Sequence, residues 1–362
     1  MSKSYPQVLV IAPGHRGRGG IDSVVRLHGC TDLWQDTCSM LSTYDDRGAC
    51  YKIWAALRAY ITAPLAIARA QIVHIHLAGE TSFLRKLPLL GLSAALGKPI
   101  ILHVHAHGEE SLFRKTPHWA WRFAFRKAQR VIALSPSWAA IIRRHTQHPG
   151  VVVVPNPVKR FPPAARDAGL PPRILYVGKL ELRKGFDTLI AAAAIVLRSR
   201  PDAEFWFSGH GDLPGAEALA RTLGISDRVH LLGWLNSEQL EEIYDLAHIF
   251  CLPSHNEGVP MSVLEAMSHG LPVVCTPVGG IPDVVAHEFN GLFVTPGDVK
   301  GVAAAILRLL QQPGLASSLA SSGRSTVQAI CSIDVVTGQL KTIYQELTAN
   351  VSKGAIGVLH GS

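Results

Sequence analysis

SHNEGVPMSVLEAMSHGLPVVCTPVGGIP, from Ser254 to Pro282, decides how the rest of the chain is read. Its opening residues Ser254, His255, Asn256 and Glu257 carry no apolar run and form a loop. Gly258 and Pro260 then punctuate it, with Pro260 where proline suits a first helical turn. The next residues predict a short helix, roughly Met261 to His269, stopped at Gly270 by a left-handed cap. Pro272 to Cys275 reads as a buried strand, and Thr276 to Gly280 as a loop of small residues.

Two carboxylates stand out. Glu257 lies in the loop, and Glu265 lies inside the helix between Leu264, Ala266 and Met267. An ionised carboxylate on so apolar a helix is costly unless something pairs with it. Either Glu265 faces water, or it accepts hydrogen bonds from ligand hydroxyls. The free N–H groups near Met261, Ser262 and Val263 would then meet a phosphate of the same ligand.

Glu257-Gly258-Val259-Pro260 and Val263-Leu264-Glu265-Ala266-Met267, followed by GLPVV and GGIPDVV, resemble the Glu–seven residues–Glu motif of a known family. It is the group 1, or family 4, class of retaining glycosyltransferases. The resemblance implies an α/β chain of two Rossmann-like domains whose parallel sheets face across a cleft, the GT-B fold. It also implies that Glu257, with Gly258 and Val259, lies by the donor sugar, while Glu265 holds the ribose of the nucleotide.

The 362 residues suit two domains. Apolar residues make up 48% and charged residues 17%, as in a globular chain. Six cysteines are scattered without a C-x-x-C pair, which predicts neither a disulfide framework nor a zinc site and suits a reducing cytosol. MSKSYPQ is too short for a signal peptide, and no apolar run reaches the roughly 18 residues of a membrane span. Residues 1–160 carry 21 Lys and Arg against 8 Asp and Glu, a net of +13; the remainder carries 14 against 19, a net of −5. The basic half suggests an anionic partner.

Strands are expected at Val8–Ala12, Thr37–Ser42, Ile72–Leu77, Pro99–His105, Arg130–Leu134 and Val151–Val154, with helices between them. That alternation argues a parallel sheet covered on both faces. PGHRGRGG after the first strand is not G-x-G-x-x-G; it is either a flexible turn or, as the resemblance implies, a loop placing Gly19 and Gly20 against a diphosphate. HIHLAGETSFLRK, from His74 to Lys86, predicts a strand end and a helix start capped by Thr81 or Ser82. Arg85 and Lys86 read as a solvated face. A similar run recurs in polysaccharide-building subfamilies, which gives His76 and Arg85 a possible acceptor-side role by resemblance.

HVHAHG, from His103 to Gly108, ends the next strand. Three alternating histidines invite a metal reading, but no carboxylate pattern completes a site. The resemblance implies one histidine close to the reacting sugar: His105 fits, with His107 as the alternative. In the helix from Pro117, Trp119 and Phe123 share one face and Trp121 and Phe125 another. One pair packs on the sheet. The other, amid Arg122, Arg126 and Lys127, is either a partly exposed rim or a wedge on anionic lipid, the role assigned to Trp121 and Phe125. No nucleic-acid module is legible.

PNPVKRFPPAARDAGLPP reads as the linker between an acceptor-side domain, 1–160, and a donor domain, 172–330. Strand Ile174–Val177 runs into Gly178-Lys179 and Arg183-Lys184-Gly185, cations at a strand-to-helix turn that are either an exposed charged turn or a diphosphate site. The resemblance implies that Lys179, standing where arginine is usual, and Lys184 hold the donor diphosphate, so no metal is expected. Asp45-Asp46 is not a DxD arrangement. Gly209, in SGHGD, is a second small-residue mouth. By resemblance, Trp234 and Leu235 are candidates to read the base. Ser237 is expected to cap a helix, and a final helix, 333–349, to cross back to the first domain.

The resemblance thus implies a cytoplasmic, metal-independent hexosyltransferase, peripheral on the inner face of the plasma membrane. Its expected donor is a UDP- or GDP-sugar. Its expected acceptor is a saccharide, free or lipid-linked, in surface polysaccharide synthesis. The rivals are a soluble enzyme acting on a small acceptor and a catalytically silent binding subunit.

Overall fold

The computed structural model describes residues 7–13, 20–44, 48–105, 110–114, 116–162 and 169–359. Gly19 and His107, and with them Gly14, Gly17, Asp45 and Asp46, lie outside the described residues. The chain divides into two compact units, Met1–Pro157 with Ile333–Ser362, and Val158–Ser332.

In the first unit the elements run β1 (Val8–Ala12), α1 (Gly20–Gly29), α2 (Asp32–Thr37), β2 (Cys38–Ser42), α3 (Ala49–Arg69), β3 (Ile72–Leu77) and α4 (Glu80–Ala95). They continue with β4 (Ile100–Val104), α5 (His118–Lys127), β5 (Arg130–Ala133), α6 (Pro136–Thr146) and β6 (Val151–Val153). The second unit holds β7 (Arg173–Val177), α7 (Phe186–Ser199), β8 (Glu204–Ser208), α8 (Leu213–Thr222), β9 (Val229–Gly233), α9 (Ser237–Leu246) and β10 (Ile249–Leu252). It is completed by α10 (Met261–Ser268), β11 (Val273–Cys275), β12 (Leu292–Phe293), α11 (Val299–Gln311) and α12 (Pro313–Cys331); α13 (Ile333–Leu359) returns to the first unit.

Each unit is built on a parallel six-stranded sheet, ordered β2-β1-β3-β4-β5-β6 in the first and β12-β11-β10-β7-β8-β9 in the second. Such sheets need cover on both faces, which explains the near-continuous apolar runs along their strands. On one face of the first sheet, Leu9, Ile11, Val73, Ile75, Ile100 and Leu102 pack in one core with Trp121, Phe125 and Trp138. On the other, Val8, Val10, Ile72, Ile101 and Ile132 pack under Val336, Leu340, Ile343, Tyr344 and Leu347 of α13.

Several boundaries differ from the sequence reading for local reasons. Thr37 ends α2 rather than opening β2, and Thr31 caps that helix by accepting from the Trp34 N–H. Gly79, not Thr81 or Ser82, caps α4. Asn236, not Ser237, caps α9, because Asn236 and Gln239 form a reciprocal capping box. Pro260 caps α10 from just outside it, its carbonyl accepting from Val263 N–H at 3.2 Å. The proline-rich junction also divides unevenly. Val158 N–H donates to Cys331 O at 2.7 Å, and Phe161 stacks on His269, so this stretch packs on the second unit.

Leu340 is fully buried beneath the first sheet. Leu340→Ala is therefore expected to cost about 2–5 kcal/mol of stability. The check is a urea melt followed by tryptophan fluorescence; an unchanged midpoint would show that α13 is dispensable cover.

Candidate functional site

In an open parallel sheet, ligands bind outside the carboxyl ends of the strands where the chain order reverses. In the second unit that reversal falls between β7 and β10. The loop after β7 carries Lys179, Arg183 and Lys184, and the loop after β10 carries Ser254 to Gly258. The topology alone therefore brings together the two motifs that the sequence reading singled out.

Backbone contacts fix those loops against each other. His255 N–H donates to Arg183 O at 2.8 Å, and the Arg183 guanidinium donates to Asn256 O at 2.7 Å. Gly185 has φ +71°, and a Cβ there would lie 2.1 Å from the Pro253 carbonyl oxygen. Gly209 brings the β8 loop equally close: its Cβ would stand 1.8 Å from the carbonyl oxygen of Gly178. Behind them, Gly280 N–H donates to Gly258 O at 2.7 Å and the Thr276 hydroxyl donates to Ser254 O at 2.5 Å.

Inside this frame Lys184 Nζ meets Glu257 Oε1 at 2.5 Å, and the Ser254 hydroxyl donates to the same oxygen at 2.8 Å. The Glu257 side chain is 2% exposed and the Lys184 side chain 15%. The two residues were read from sequence in separate roles; the structure joins them in one buried ion pair. Lys179 pairs with Glu181 at 2.9 Å, as does Arg183 at 2.6 Å. Burial works to raise the Glu181 carboxyl, but the hydrogen bond from Lys179 and the charge of Arg183 outweigh it and leave it below its ordinary value.

Glu265 is half-buried on α10, neither a solvated helix face nor a sealed core group. The Tyr244 hydroxyl donates to its Oε2 at 3.1 Å. Burial, with the Glu265 charge, pushes the Tyr244 phenol well up, so it stays a donor. The Tyr244 ring stacks on His269, whose Nδ1 meets Asp245 at 2.7 Å. Of the amides expected at the helix start, Val263 N–H is taken by Pro260, whereas those of Met261 and Ser262 precede any intrahelical acceptor. Leu235 is half-buried between β9 and α9, beside an exposed Trp234. Sequence reasoning missed Ser254 and Tyr244. The first was signalled by its Ser-x-x-Glu spacing to Glu257; the second, on another helix, had no local signal.

In the first unit the order reverses between β1 and β3. Gly20 opens α1 after β1. His76 of β3 lies opposite His103 of β4 in register, with His74 two residues earlier and His105 just past the strand. His74 Nδ1 meets the Tyr344 hydroxyl at 2.7 Å, His74 Nε2 meets His103 Nδ1 at 3.3 Å, and His76 Nδ1 meets His105 Nε2 at 3.0 Å. Burial lowers the His74 pKa to about 3, helped by His28, and holds those of His76 and His103 well below the ordinary value. Single ring nitrogens of His74, His76 and His103 lie within 4.8 Å of one another, a metal-like grouping.

The neighbouring Arg-Lys pair is not a solvated face. Lys86 is buried and donates to His76 O at 2.5 Å and to Ser82 Oγ at 3.1 Å, and burial lowers its pKa to about 7. Arg85 lies over the Tyr44 ring at 5.1 Å. On α5, Trp121 and Phe125 are buried in the core, so the lipid-facing role assigned to them is withdrawn; Trp119, 67% exposed, and Phe123 form the outer face.

Comparison with known proteins gives two family matches. Residues 161–326 match the sequence model described as Glycosyl transferases group 1, and residues 5–160 match Glycosyltransferase Family 4. Alpha-D-kanosaminyltransferase of Streptomyces kanamyceticus is 30% identical over 244 residues, 63% of each chain. The amylovoran biosynthesis glycosyltransferase AmsK of Erwinia amylovora is 33% identical over 184 residues, covering 49% of this chain and 45% of its own. The chain spans about half the length of the curated relatives it matches. Among solved structures, Anabaena HepE in complex with UDP and glucose aligns with a TM-score of 0.75 at 16% identity, over 94% of this chain and 100% of that one. A sucrose-phosphate synthase from Thermosynechococcus elongatus aligns with a TM-score of 0.75 at 22% identity, over 95% of this chain and 100% of that one. Both likenesses show the fold.

Removing one member of a buried ion pair strands the other, at a cost of about 3–5 kcal/mol. Lys184→Met is expected to lose that much, and Lys184→Met with Glu257→Gln to regain most of it. Urea melts of the two variants check this; equal losses would mean the pair is not electrostatically coupled.

Proposed function

The chain belongs to the group 1 and family 4 glycosyltransferases with the GT-B fold, and on that premise we propose that it transfers a hexose from a nucleotide-diphosphate sugar, with retention, to a saccharide acceptor. The observation that carries the reading is the meeting of Lys184, Glu257 and Ser254 at the switch point of the second sheet. A donor placed there meets cations for its diphosphate and carboxylates for its hydroxyls. Lys184, Lys179 and the Met261 and Ser262 amides would balance the charge that develops on the departing diphosphate. Because those groups supply the positive charge, this reading needs no metal.

Glu265, oriented by the Tyr244 hydroxyl at its Oε2, would accept hydrogen bonds from the ribose hydroxyls. Glu257 and the backbone of Gly258 and Val259 would orient the sugar. His105 is assigned to the reacting sugar and Arg85 to the acceptor side; the acceptor-side role expected of His76 would be indirect, since its ring is fully buried and hydrogen-bonded to His105. UDP or GDP is the expected nucleotide, and the UDP-bound relative HepE favours the first.

For the acceptor, we infer a sugar on a lipid carrier, used in surface polysaccharide assembly at the cytoplasmic face of a membrane. AmsK, a relative named for amylovoran biosynthesis, supports that direction. So does α3. Trp54, Leu57, Ile61 and Leu65 lie on the side opposite its buried Ala59, Ala63 and Ile67 and are all exposed, Ile61 at 76%. Its sequence includes Lys52, Arg58 and Arg69 but no acidic residue. An apolar face about 17 Å long from Trp54 to Leu65, with Arg58 beside it, suits an anionic lipid surface. None of the described helices is long and apolar enough to cross a membrane.

A thermal-shift panel of UDP- and GDP-sugars tests the donor. The matching donor at 100 times its Kd should stabilise the protein by about 2.7 kcal/mol, and Glu265→Gln should lose most of that shift. No shift with any nucleotide-sugar would overturn the reading.

Sedimentation with vesicles tests the lipid surface. The protein should pellet with phosphatidylglycerol vesicles and less with phosphatidylcholine, and Trp54→Ser with Ile61→Ser should release it. Equal pelleting of the double variant would remove α3 from the interface.

A further inference from the structure

The four strand-end histidines of the first unit have no assigned role as a group. Their chemistry is constrained from several sides. His74, His76 and His103 are buried, with pKa values pushed far below neutrality, so each ring carries one proton and one bare nitrogen. Which nitrogen holds the proton is set by the partners.

A metal cage is the first alternative, given nitrogens within 4.8 Å. The rings argue against it. His74 and His103 lie 9° from parallel, His74 and His76 24°, and His76 and His103 33°. An imidazole lone pair points in the plane of its ring, so nearly parallel rings do not aim three lone pairs at one ion. The ring nitrogens are instead engaged pairwise, in Tyr344–His74–His103 and in His76–His105.

The His76–His105 bond has a direction that the burial pattern resolves. His76 Nδ1 contacts His105 Nε2 at 3.0 Å, while His76 Nε2 is buried and has no hydrogen-bond partner among the described residues. A proton on Nε2 would be an orphaned buried N–H, a rarer defect than a bare acceptor. The His76 proton therefore belongs on Nδ1, where it makes a hydrogen bond. His105 Nε2 must then accept, which leaves the His105 proton on Nδ1.

We propose that His76 is a positioning residue: it donates its Nδ1–H to Nε2 of His105 and so holds His105 in the Nδ1–H tautomer. The proposal rests on the reading of His105 as a site residue. Two features hold the donor in place. Lys86 donates to the His76 backbone carbonyl, and His105 N–H donates to Leu77 O at 2.7 Å, fixing the ends of β3 and β4 against each other. His103 stacks on His105 with centroids 4.2 Å apart, which limits rotation of the ring. A histidine fixed in this way would present the same nitrogen to a sugar at every turnover.

Side-chain nitrogen NMR of histidine-labelled protein at neutral pH tests this without a variant. The His105 Nδ1 resonance should be that of a protonated nitrogen and Nε2 that of a bare one. His76→Asn, whose amide nitrogen stands near the position of Nδ1, should keep that pattern. His76→Leu should mix the tautomers and lower kcat about ten-fold, the size of one lost hydrogen bond, with the donor KM little changed. His76→Asn should recover most of that turnover. A protonated Nε2 on His105 in the wild-type protein would overturn the proposal. So would stoichiometric Zn²⁺ uptake that shifts the His74, His76 and His103 nitrogens together. If the tautomer is as expected but His105→Ala turns over normally, the site reading of His105 fails while the hydrogen-bond direction stands.

Discussion

The second unit depends on burying one ion pair at the carboxyl ends of its two central strands. Glu257 is almost wholly removed from water, and a carboxylate so placed is tolerable only with its charge matched and its remaining lone pairs satisfied. Lys184 supplies the charge and Ser254 a hydrogen bond. Both must arrive within ångströms, from loops 70 residues apart in sequence. The parallel topology makes that possible because β7 and β10 are neighbours. The glycines follow from the same demand: Gly185 and Gly279 stand where a Cβ would strike the backbone of Pro253 or Glu257. A substitution at either would displace the carboxylate or the lysine, so these backbone positions are as much part of the site as the charges are.

The first unit solves the matching problem with neutral groups. The sheet face that bears His74, His76 and His103 is covered by α13, and Tyr344 of that helix closes the hydrogen-bond chain. Charged imidazoles stacked this closely would repel one another in a medium that screens poorly. Burial avoids that by keeping them uncharged, and hydrogen bonds then dictate their tautomers. The helix that ends the described chain thus reaches the chemistry at the strand ends through a side chain rather than through its terminus.

Much of this was legible in the sequence because parallel strands buried on both sides read as unbroken apolar runs. Val8–Ala12 and Ile72–Leu77 come out with the bounds that the pattern gives. The Glu257 and Glu265 pair was legible as spacing within one loop and helix. What stayed hidden was pairing across distance. Nothing near Glu265 announces Tyr244, and nothing near Lys184 says that its partner is Glu257. Caps were misplaced where two candidates adjoin, as at Asn236 and Ser237, since the deciding bond runs to Gln239. On α5 the periodicity separated two aromatic pairs correctly but did not say which one the sheet takes. The core position of Trp121 depends on Phe113, from a segment with no legible period.

The two units use one topological rule for opposite electrostatic ends. Both gather their polar side chains at the carboxyl ends of strands beside a reversal of chain order. In the second, Lys179, Arg183 and Lys184 sit among Glu181 and Glu257, so every one of these cations is matched by a carboxylate of the same two loops. The charge is already organised before a ligand arrives, which is the condition for stabilising charge that develops during reaction. In the first, burial keeps His74, His76 and His103 uncharged, and their partners order their protons. The two units therefore share a parallel six-stranded sheet and the placement of polar groups at its strand ends, and differ in how those groups are kept from costing stability: by ion pairing in the second, by neutrality in the first.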